Sequence, residues 1–527
     1  MITTPTTYPV ASYGTAREIL HTLRQKFRTG GLRHSLHPLT WYDSFDWRLF
    51  RDGGTLSVEP VTHGVELRWC SLEGKIRHRL RLGQVPAFAR DFPVGPFGER
   101  LLAVLGVRRL LPRVKAEFVG EVVQILDAAD QVVAQVDLEE GTAEPGDGTG
   151  GEARVSPRVQ LRPREGNPEY YGRIVSFLES ELGLRAGPCR RFDRAVAAVG
   201  LQPGDYSSRL DLTLDPAMPA FEAARRIHLA LLGTMRANEV GVRRGLDTEF
   251  LHDLRVAIRR TRTCLAQLKG VFPPDRTAHF REEFSWLGGV TGPGRDLDVY
   301  LLTIPHYQTL LPADMRNDLA PLMRFLHKRR VAEQAHLVEL FGSLRYRRLM
   351  RDWTDFLSGP APAQEPPSGT ELGCMELAND RIGKRWKKVL KRGAAIRDDS
   401  EAADLHSLRI DCKRLRYLLE FFRSLYDPGD LDPMIRKLRK LQDHLGEIND
   451  LEVQSAALSI FARDMDADQQ ATPESFLAMG RLQEQLLARQ ERERRKVRRY
   501  FGRFAGKKTR EAMQRLVGDG EHREPEP

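Results

Sequence analysis

The sequence predicts an α+β protein of two domains, a strand-containing N-terminal part followed by an all-helical part that carries an internal duplication. Two observations predict it. Up to about residue 200 the chain holds short runs in which apolar and polar residues partly alternate, the period of half-buried strands. From about residue 220 a helical period takes over and repeats itself at a constant offset of 154 positions, as duplicated structural units do.

The strand-like runs come first: "VTHGVELRWC", "KIRHRLRL", "RVKAEFVGEVVQIL", "QVVAQVDLEE" and "RVQLRPREG". "GTAEPGDGTGGEA" (141–153) reads as a Gly-rich loop between two of them, and "YYGRIVSFLESELGL" as a helix. The character changes after "LQPGDYSS" (201–208). In the helical part, Leu251-His252 matches Leu405-His406, and Leu254-Arg255 matches Leu408-Arg409. Arg259-Arg260 matches Lys413-Arg414, and Arg262 matches Arg416. The register holds through Leu287/Leu441 and Gly292/Gly446 to Asp296-Leu297-Asp298-Val299 and Asp450-Leu451-Glu452-Val453. Each basic helix is thus expected to precede a helix that ends near a Gly and an acidic turn. Duplicated halves pack about a pseudo-twofold axis, which would bring the two basic helices together.

At 527 residues, 41% hydrophobic and 29% charged, the chain is globular and longer than one domain. No apolar run approaches the roughly 20 residues of a membrane helix. The opening "MITTPTTYPVASYGTAREIL" lacks the charged and then apolar pattern of a signal peptide, so none is expected. Cys70, Cys189, Cys264, Cys374 and Cys412 show no CxxC spacing. A disulfide framework or zinc site is therefore not expected, and the reducing cytoplasm is the natural compartment.

The net charge of +10 points weakly to a polyanionic partner. Its distribution says more. "LHDLRVAIRRTR" spaces His252, Arg255, Arg259 and Arg262 by three, four and three residues, which places them on one helical face. His406, Arg409, Lys413 and Arg416 repeat the stripe, and Arg381, Lys384, Lys388 and Lys391 form a third. A solvated face usually alternates signs, whereas like charges at i,i+4 cost about 0.2–0.5 kcal/mol per pair. Repeating that cost in register calls for an offsetting anion. Arginine grips phosphate oxygens bidentately, and a nearby polyanion favours imidazolium. The stripes lack the interleaved aromatics of single-stranded nucleic-acid platforms, so a phosphate-only polymer fits them better. His252-Asp253 could be read as the metal-binding pair of a phosphohydrolase, but the second half has His406-Ser407, so the duplication did not keep the Asp.

These motifs, with "WLGGVTGPGRDLDVYL", "LHSLRIDCKRLRYLLEFF" and "LRKLQDHLGEINDLEV", resemble those of the CHAD (conserved histidine α-helical domain) family over roughly 215–510. The resemblance implies an all-α domain of two pseudo-symmetric four-helix halves, about 215–357 and 371–510. A linker at 358–369 would join them, and 511–527 would form a tail. It further implies binding of inorganic polyphosphate and association with cytoplasmic polyphosphate granules and their proteins. Carried over, the phosphate ligands are His252, Arg255, Arg259, Arg262, His406, Arg409, Lys413 and Arg416. Beside these, the neighbouring bases Arg260, Arg381, Lys384, Lys388, Lys391, Arg414, Arg439 and Lys440 are candidates for additional anion contacts. Ser285 and Trp286 stand where the second half has Arg439 and Lys440, so the groove is expected to be less basic on that side.

Residues 1–205 resemble a CYTH (triphosphate-tunnel) domain in "WYDSFDWRLFRDGGTLSV" and in the late strand and helix. This implies an antiparallel β-barrel-like N-terminal domain. That family holds divalent metal on alternating glutamates. Here the opening Glu-x-Glu-x-Lys is missing, and the late strand carries Arg158, Gln160 and Arg162. Mg²⁺ would lack carboxylate ligands, so no catalytic residue, metal or cofactor is expected. Lys75, Arg77, Arg79 and Arg81, with Arg113 and Lys115, alternate along strands. They could line a tunnel, but the outer face of a small barrel must be polar, which favours solvent. The expected function is polyphosphate binding without a membrane or nucleic-acid partner. The alternatives are a triphosphate- or polyphosphate-processing enzyme acting through the CYTH-like domain, and nonspecific nucleic-acid binding.

Overall fold

The structure is a computed structural model and describes residues 5–164, 168–360 and 373–518. It divides into two compact units, Met1–Ser207 and Ser208–Pro527.

The first unit is built on one antiparallel sheet of eight strands. These are β1 (Thr6–Pro9), β2 (Thr29–Asp43), β3 (Gly54–Val61), β4 (Gly64–Ser71), β5 (Ile76–Leu82), β6 (Leu111–Leu126), β7 (Val132–Pro145) and β8 (Ala153–Pro163). Their order is β1-β8-β7-β6-β2-β3-β4-β5. The sheet is not closed into the expected barrel, because β1 and β5 stand at its two ends. On β5, Arg77, Arg79 and Arg81 are exposed, and edge charges of this kind discourage further strand pairing. Arg113 departs from the expected solvent-facing role, since its guanidinium lies 4.3 Å from the Trp47 ring. The expected loop at 141–153 is shorter, because β7 continues to Pro145 through the pairs Thr142–Glu117, Ala143–Ala116 and Glu144–Lys115. Gly141 permits that approach, since a Cβ there would lie 2.4 Å from the Glu117 carbonyl oxygen.

Helices α1 (Tyr13–Lys26) and α4 (Pro168–Ser176) pack one face, where Leu20, Leu23 and Ile174 meet Val136, Val159 and Leu161. Two more, α2 (Arg48–Arg51) and α3 (Pro96–Leu105), lie beside β3 and β4, and α5 (Arg191–Ala198) packs on Trp41, Val114 and Phe118. "YYGRIVSFLESELGL" forms α4 and then a single π turn, Phe177–Glu181.

The second unit is helical. Its first half holds α6 (Ala220–Arg243), α7 (Thr248–Gln267), α8 (Pro274–Val290), α9 (Gly292–Leu310), α10 (Ala320–Gly342) and α11 (Leu344–Ser358). Its second half holds α12 (Cys374–Ala395), α13 (Ala402–Phe421), α14 (Pro428–Ala467), α15 (Pro473–Arg494), α16 (Val497–Phe504) and α17 (Lys507–Val517). Each half thus has six α-helices among the described residues, where four were expected. The offset of 154 carries α7 onto α13 end for end, α6 onto α12, and α10 onto α15 within two residues.

The acidic motifs lie within helices rather than in turns. α14 runs through Gly446 and 450–453, while its counterpart is split into α8 and α9 at Thr291. Pro293 explains the split. It stands where α14 has Glu447 and has no N–H with which to continue the backbone ladder. The segment expected as a tail from 511 is helical to Val517, because α17 buries Thr509 and Met513 and Arg515 pairs with Asp430. Most of the expected linker, 361–369, lies outside the described residues.

Candidate anion-binding clefts

The two duplicated helices are placed by their apolar stripes. Leu251, Leu254, Ile258 and Leu265 of α7 are buried, as are Leu405, Leu408, Cys412 and Leu415 of α13. Asp247 starts α7 by accepting from the Glu249 and Phe250 amides at 2.9 and 3.3 Å. The helices then pack on one another. Arg259 Nε donates to Tyr417 Oη at 2.8 Å, and Arg260 pairs with Glu420 at 3.1 Å. The two basic stripes thus meet.

Two clefts open beside this contact. The first, about 730 Å³, is lined by Arg259, Arg262, Arg281, His406, Arg409, Lys413, Arg414 and Tyr417, with Ser285 and Glu282. The second, about 550 Å³, shares Arg409 and Lys413 and adds Arg416, Arg489 and His306, facing Asp443, Glu447 and Asp450.

The expected ligands take different places around the clefts. Among the described residues, Arg259, Arg262, Arg281 and Lys413 have no carboxylate oxygen within 4.0 Å. Arg262 reaches only Ser285 Oγ at 3.2 Å. Burial, and then Arg409 and Arg259, bring the Lys413 ammonium down to about 8. Exposed His406 bonds Asn449 through Nδ1 at 3.0 Å. Arg416 donates to Gln442 at 2.6 Å and pairs with Glu420 at 2.9 Å.

Arg255 and Arg409 occupy equivalent positions, yet they differ. Arg255 donates to the Gly288 carbonyl and Thr291 Oγ1 at 2.8 and 2.9 Å, fastening the junction between α8 and α9. Arg409 faces the unbroken α14 and has Asp450 at 3.7 Å. Burial works against both guanidiniums, and the duplicated acids Asp296 and Asp450 oppose it. His252, half-buried, lines neither cleft.

The other expected contacts lie mostly elsewhere. Arg260 is bound to the Ser208 carbonyl and Glu420. Arg439 lies 3.3 Å from Glu420, and Lys440 is exposed outside both clefts. Arg414 lines the first cleft, 3.7 Å from Asp411. On α12, Arg381 donates to the Lys269 carbonyl at 2.8 Å and Lys384 pairs with Asp380 at 2.7 Å. Lys388 and Lys391 are exposed, and none of these four lines a cleft. Asp253 is buried on the core side of α7. Trp286 carries the Arg345 guanidinium at 4.1 Å.

Reading the repeat could not find Arg281, Tyr417 or Arg489. Their positions in the other half hold Ile435, Thr263 and Ala335, so nothing was duplicated there to see.

In the first unit, the carboxylates that do alternate, Asp137 and Glu139 on β7, are held by arginines. Glu139 meets Arg158 at 3.0 Å, Arg194 at 2.7 Å and Arg191, while Asp137 meets Arg162 at 3.3 Å. Burial works against the Glu139 charge, yet Arg158, Arg191 and Arg194 keep its pKa below the ordinary carboxylate value.

Fold and clefts together define a two-unit protein whose helical unit gathers duplicated cations around two adjacent clefts. A family model for the CHAD domain matches residues 226–459, all of them within the helical unit. Among solved structures, the chain is similar to the CHAD domain of the plant Ricinus communis, at 28% identity over 60% of this chain and 97% of that one, with a TM-score of 0.45. It also matches PptA from Streptomyces chartreusis at 17% identity, over 54% of this chain and 99% of that one, with a TM-score of 0.38. A third match is a putative adenylyl cyclase from Hippeastrum with a dominant triphosphatase activity, at 13% identity over 38% and 99% of the two chains, with a TM-score of 0.25. A search of curated proteins gives no match. No described helix is long and apolar enough to cross a membrane.

Proposed function

We propose that the helical unit binds inorganic polyphosphate in the first cleft, and that the protein is a binding protein of polyphosphate granules rather than an enzyme. One observation carries the reading: Arg259, Arg262, Arg281 and Lys413 line a single cleft, and none has a carboxylate within 4.0 Å among the described residues. Unpaired cations held close together repel one another, and a polymer with one charge per phosphate relieves that repulsion along its length. Tyr417 is buried beneath them, so no open aromatic face is offered for stacking a base. In the first unit, the arginine partners of Asp137 and Glu139 favour a structural role over metal-dependent phosphoryl chemistry.

The test is binding of the full chain to long-chain polyphosphate, tripolyphosphate and single-stranded DNA at several salt concentrations. Affinity for long-chain polyphosphate should be highest and should fall steeply with salt as counterions are released. The triple variant Arg259→Ala, Arg262→Ala, Lys413→Ala removes three unpaired cations. It should bind far more weakly and lower the log–log salt slope by about 2, from roughly 0.7 per phosphate contact on a single-stranded polyanion. Unchanged binding in that variant would move the site elsewhere, and equal affinity for DNA would favour nucleic acid.

A further inference from the structure

His444 and Glu447 lie one turn apart on α14, and Glu493 lies near the end of α15. One ligand atom from each falls within 4.8 Å of the others. The His444 ring stacks on Tyr500, with centroids 4.1 Å and planes 17° apart, which fixes its plane. Its Nε2 is 3.0 Å from the Glu493 carbonyl oxygen, and its Nδ1 is 3.5 Å from Glu493 Oε2. Both neighbours are acceptors, whereas a neutral imidazole carries one N–H. With that hydrogen at Nε2, where the contact is shorter, the Nδ1 lone pair faces a carboxylate oxygen. Something positive must sit between two such acceptors.

The carboxylates have room for it. Arg489 engages only Oε1 of Glu447, at 2.6 and 3.1 Å, and Lys496 engages only Oε1 of Glu493, at 2.7 Å. Each Oε2 is left without a hydrogen-bond donor among the described residues. We propose that His444 Nδ1, Glu447 Oε2 and Glu493 Oε2 bind a divalent transition-metal ion. One imidazole with two carboxylates suits Zn²⁺ or Mn²⁺, whereas Mg²⁺ prefers an all-oxygen set. The Nε2–H bond to a backbone carbonyl is the outer contact that commonly orients a metal-binding histidine. The site belongs to the second half alone, because Val290 and Pro293 occupy the positions of His444 and Glu447 in the first. Glu447 also lines the second cleft, so a bound ion would reduce the negative charge presented there.

The experiment titrates the metal-free full chain with Zn²⁺ or Mn²⁺ alone by calorimetry, and records visible absorption with Co²⁺ as a probe. No phosphate is present, so the outcome is independent of the polyphosphate reading. One ion per chain should bind saturably. Glu447→Gln and Glu493→Gln should each weaken binding roughly tenfold or more, and His444→Gln should change the Co²⁺ spectrum. The two Glu variants keep the Tyr500 stack and the Glu493 carbonyl, so they remain decisive if His444→Gln fails to fold. Absence of stoichiometric binding, or parental affinity in both Glu variants, would overturn the proposal and leave His444 as an imidazolium bridging its two acceptors.

Discussion

His228 on α6 offers a prediction whose size follows from the structure. The side chain is buried against Trp353 and Phe272, with ring centroids 5.0 and 5.7 Å away, and neither nitrogen has a hydrogen-bond partner among the described residues. Burial alone lowers its pKa from 6.5 to about 3. The folded-state value lies below the unfolded one, so the unfolded chain takes up this proton first as pH falls. The contribution to stability is therefore complete above about pH 6.5 and is lost progressively below it. Between pH 7.5 and 5.0 the loss is about 2 kcal/mol, since each unit of separation is worth about 1.4 kcal/mol. His228→Leu fills a similar space, cannot titrate and removes two unpaired nitrogens, so at pH 7.5 it should be at least as stable as the parent. Urea denaturation followed by helical circular dichroism, on both proteins at both pH values, reads the effect. Other groups titrate equally in parent and variant and cancel. The stability gap should widen by about 2 kcal/mol at pH 5.0, a factor of about 30 in the unfolding equilibrium. An equal pH dependence in the two proteins would show that His228 is solvated or partnered, and the reasoning would fail.

Lys413 sets a second pH dependence, in binding rather than stability, and it runs the other way, with loss as pH rises. Its ammonium titrates near 8 in the free cleft, and a bound polyanion would hold the proton. Polyphosphate affinity should therefore fall as pH rises from 7 to 9, and Lys413→Arg should flatten that fall; a parental pH profile in the variant would exclude Lys413 as a phosphate contact. The purified protein with Mg²⁺ or Mn²⁺ should release no phosphate from tripolyphosphate or ATP above background. Sustained metal-dependent turnover that survives repurification would refute the binding-only reading.

Much of the helical unit was legible because duplication writes the same physics twice. The offset of 154 that pairs His252 with His406 also pairs the ends of α7 and α13. What the repeat hides is where its copies differ. The exchange of Glu447 for Pro293 splits one helix into two, and Arg255 fastens the resulting junction while Arg409 is left beside Asp450. Period-two alternation marked β4 to β8, but alternation does not tell an open sheet from a closed one. Closure depends on whether the end strands meet, and β1 and β5 do not. The loop at 141–153 was read from its glycines, whereas Gly141 serves the close approach of β7 to β6.

The distribution of carboxylates decides what each stripe can bind, and a stripe in the sequence counts only the cations. Glu420 neutralises Arg260, Arg416 and Arg439 together. Buried Asp411 draws Arg385 and Arg392 of α12 onto α13, at 2.6 and 2.5 Å. Both acids come from α13, the helix that carries the second stripe: Glu420 extends that stripe one turn past Arg416 and draws off its charge, and buried Asp411 lies on another face. Arg259, Arg262, Arg281 and Lys413 remain unpaired, and they share the first cleft. The second cleft receives Asp443, Glu447 and Asp450 from α14 against Arg409, Lys413, Arg416 and Arg489, so most of its positive charge is offset. On the proposed reading a polyanion would be drawn to the first cleft, where its approach would relieve repulsion between cations, and would be resisted by the acids of the second. Those acids make the second cleft the natural neighbour of a bound cation. A metal ion at Glu447 would tilt that balance toward phosphate, and would extend the anion's path across the shared wall of Arg409 and Lys413.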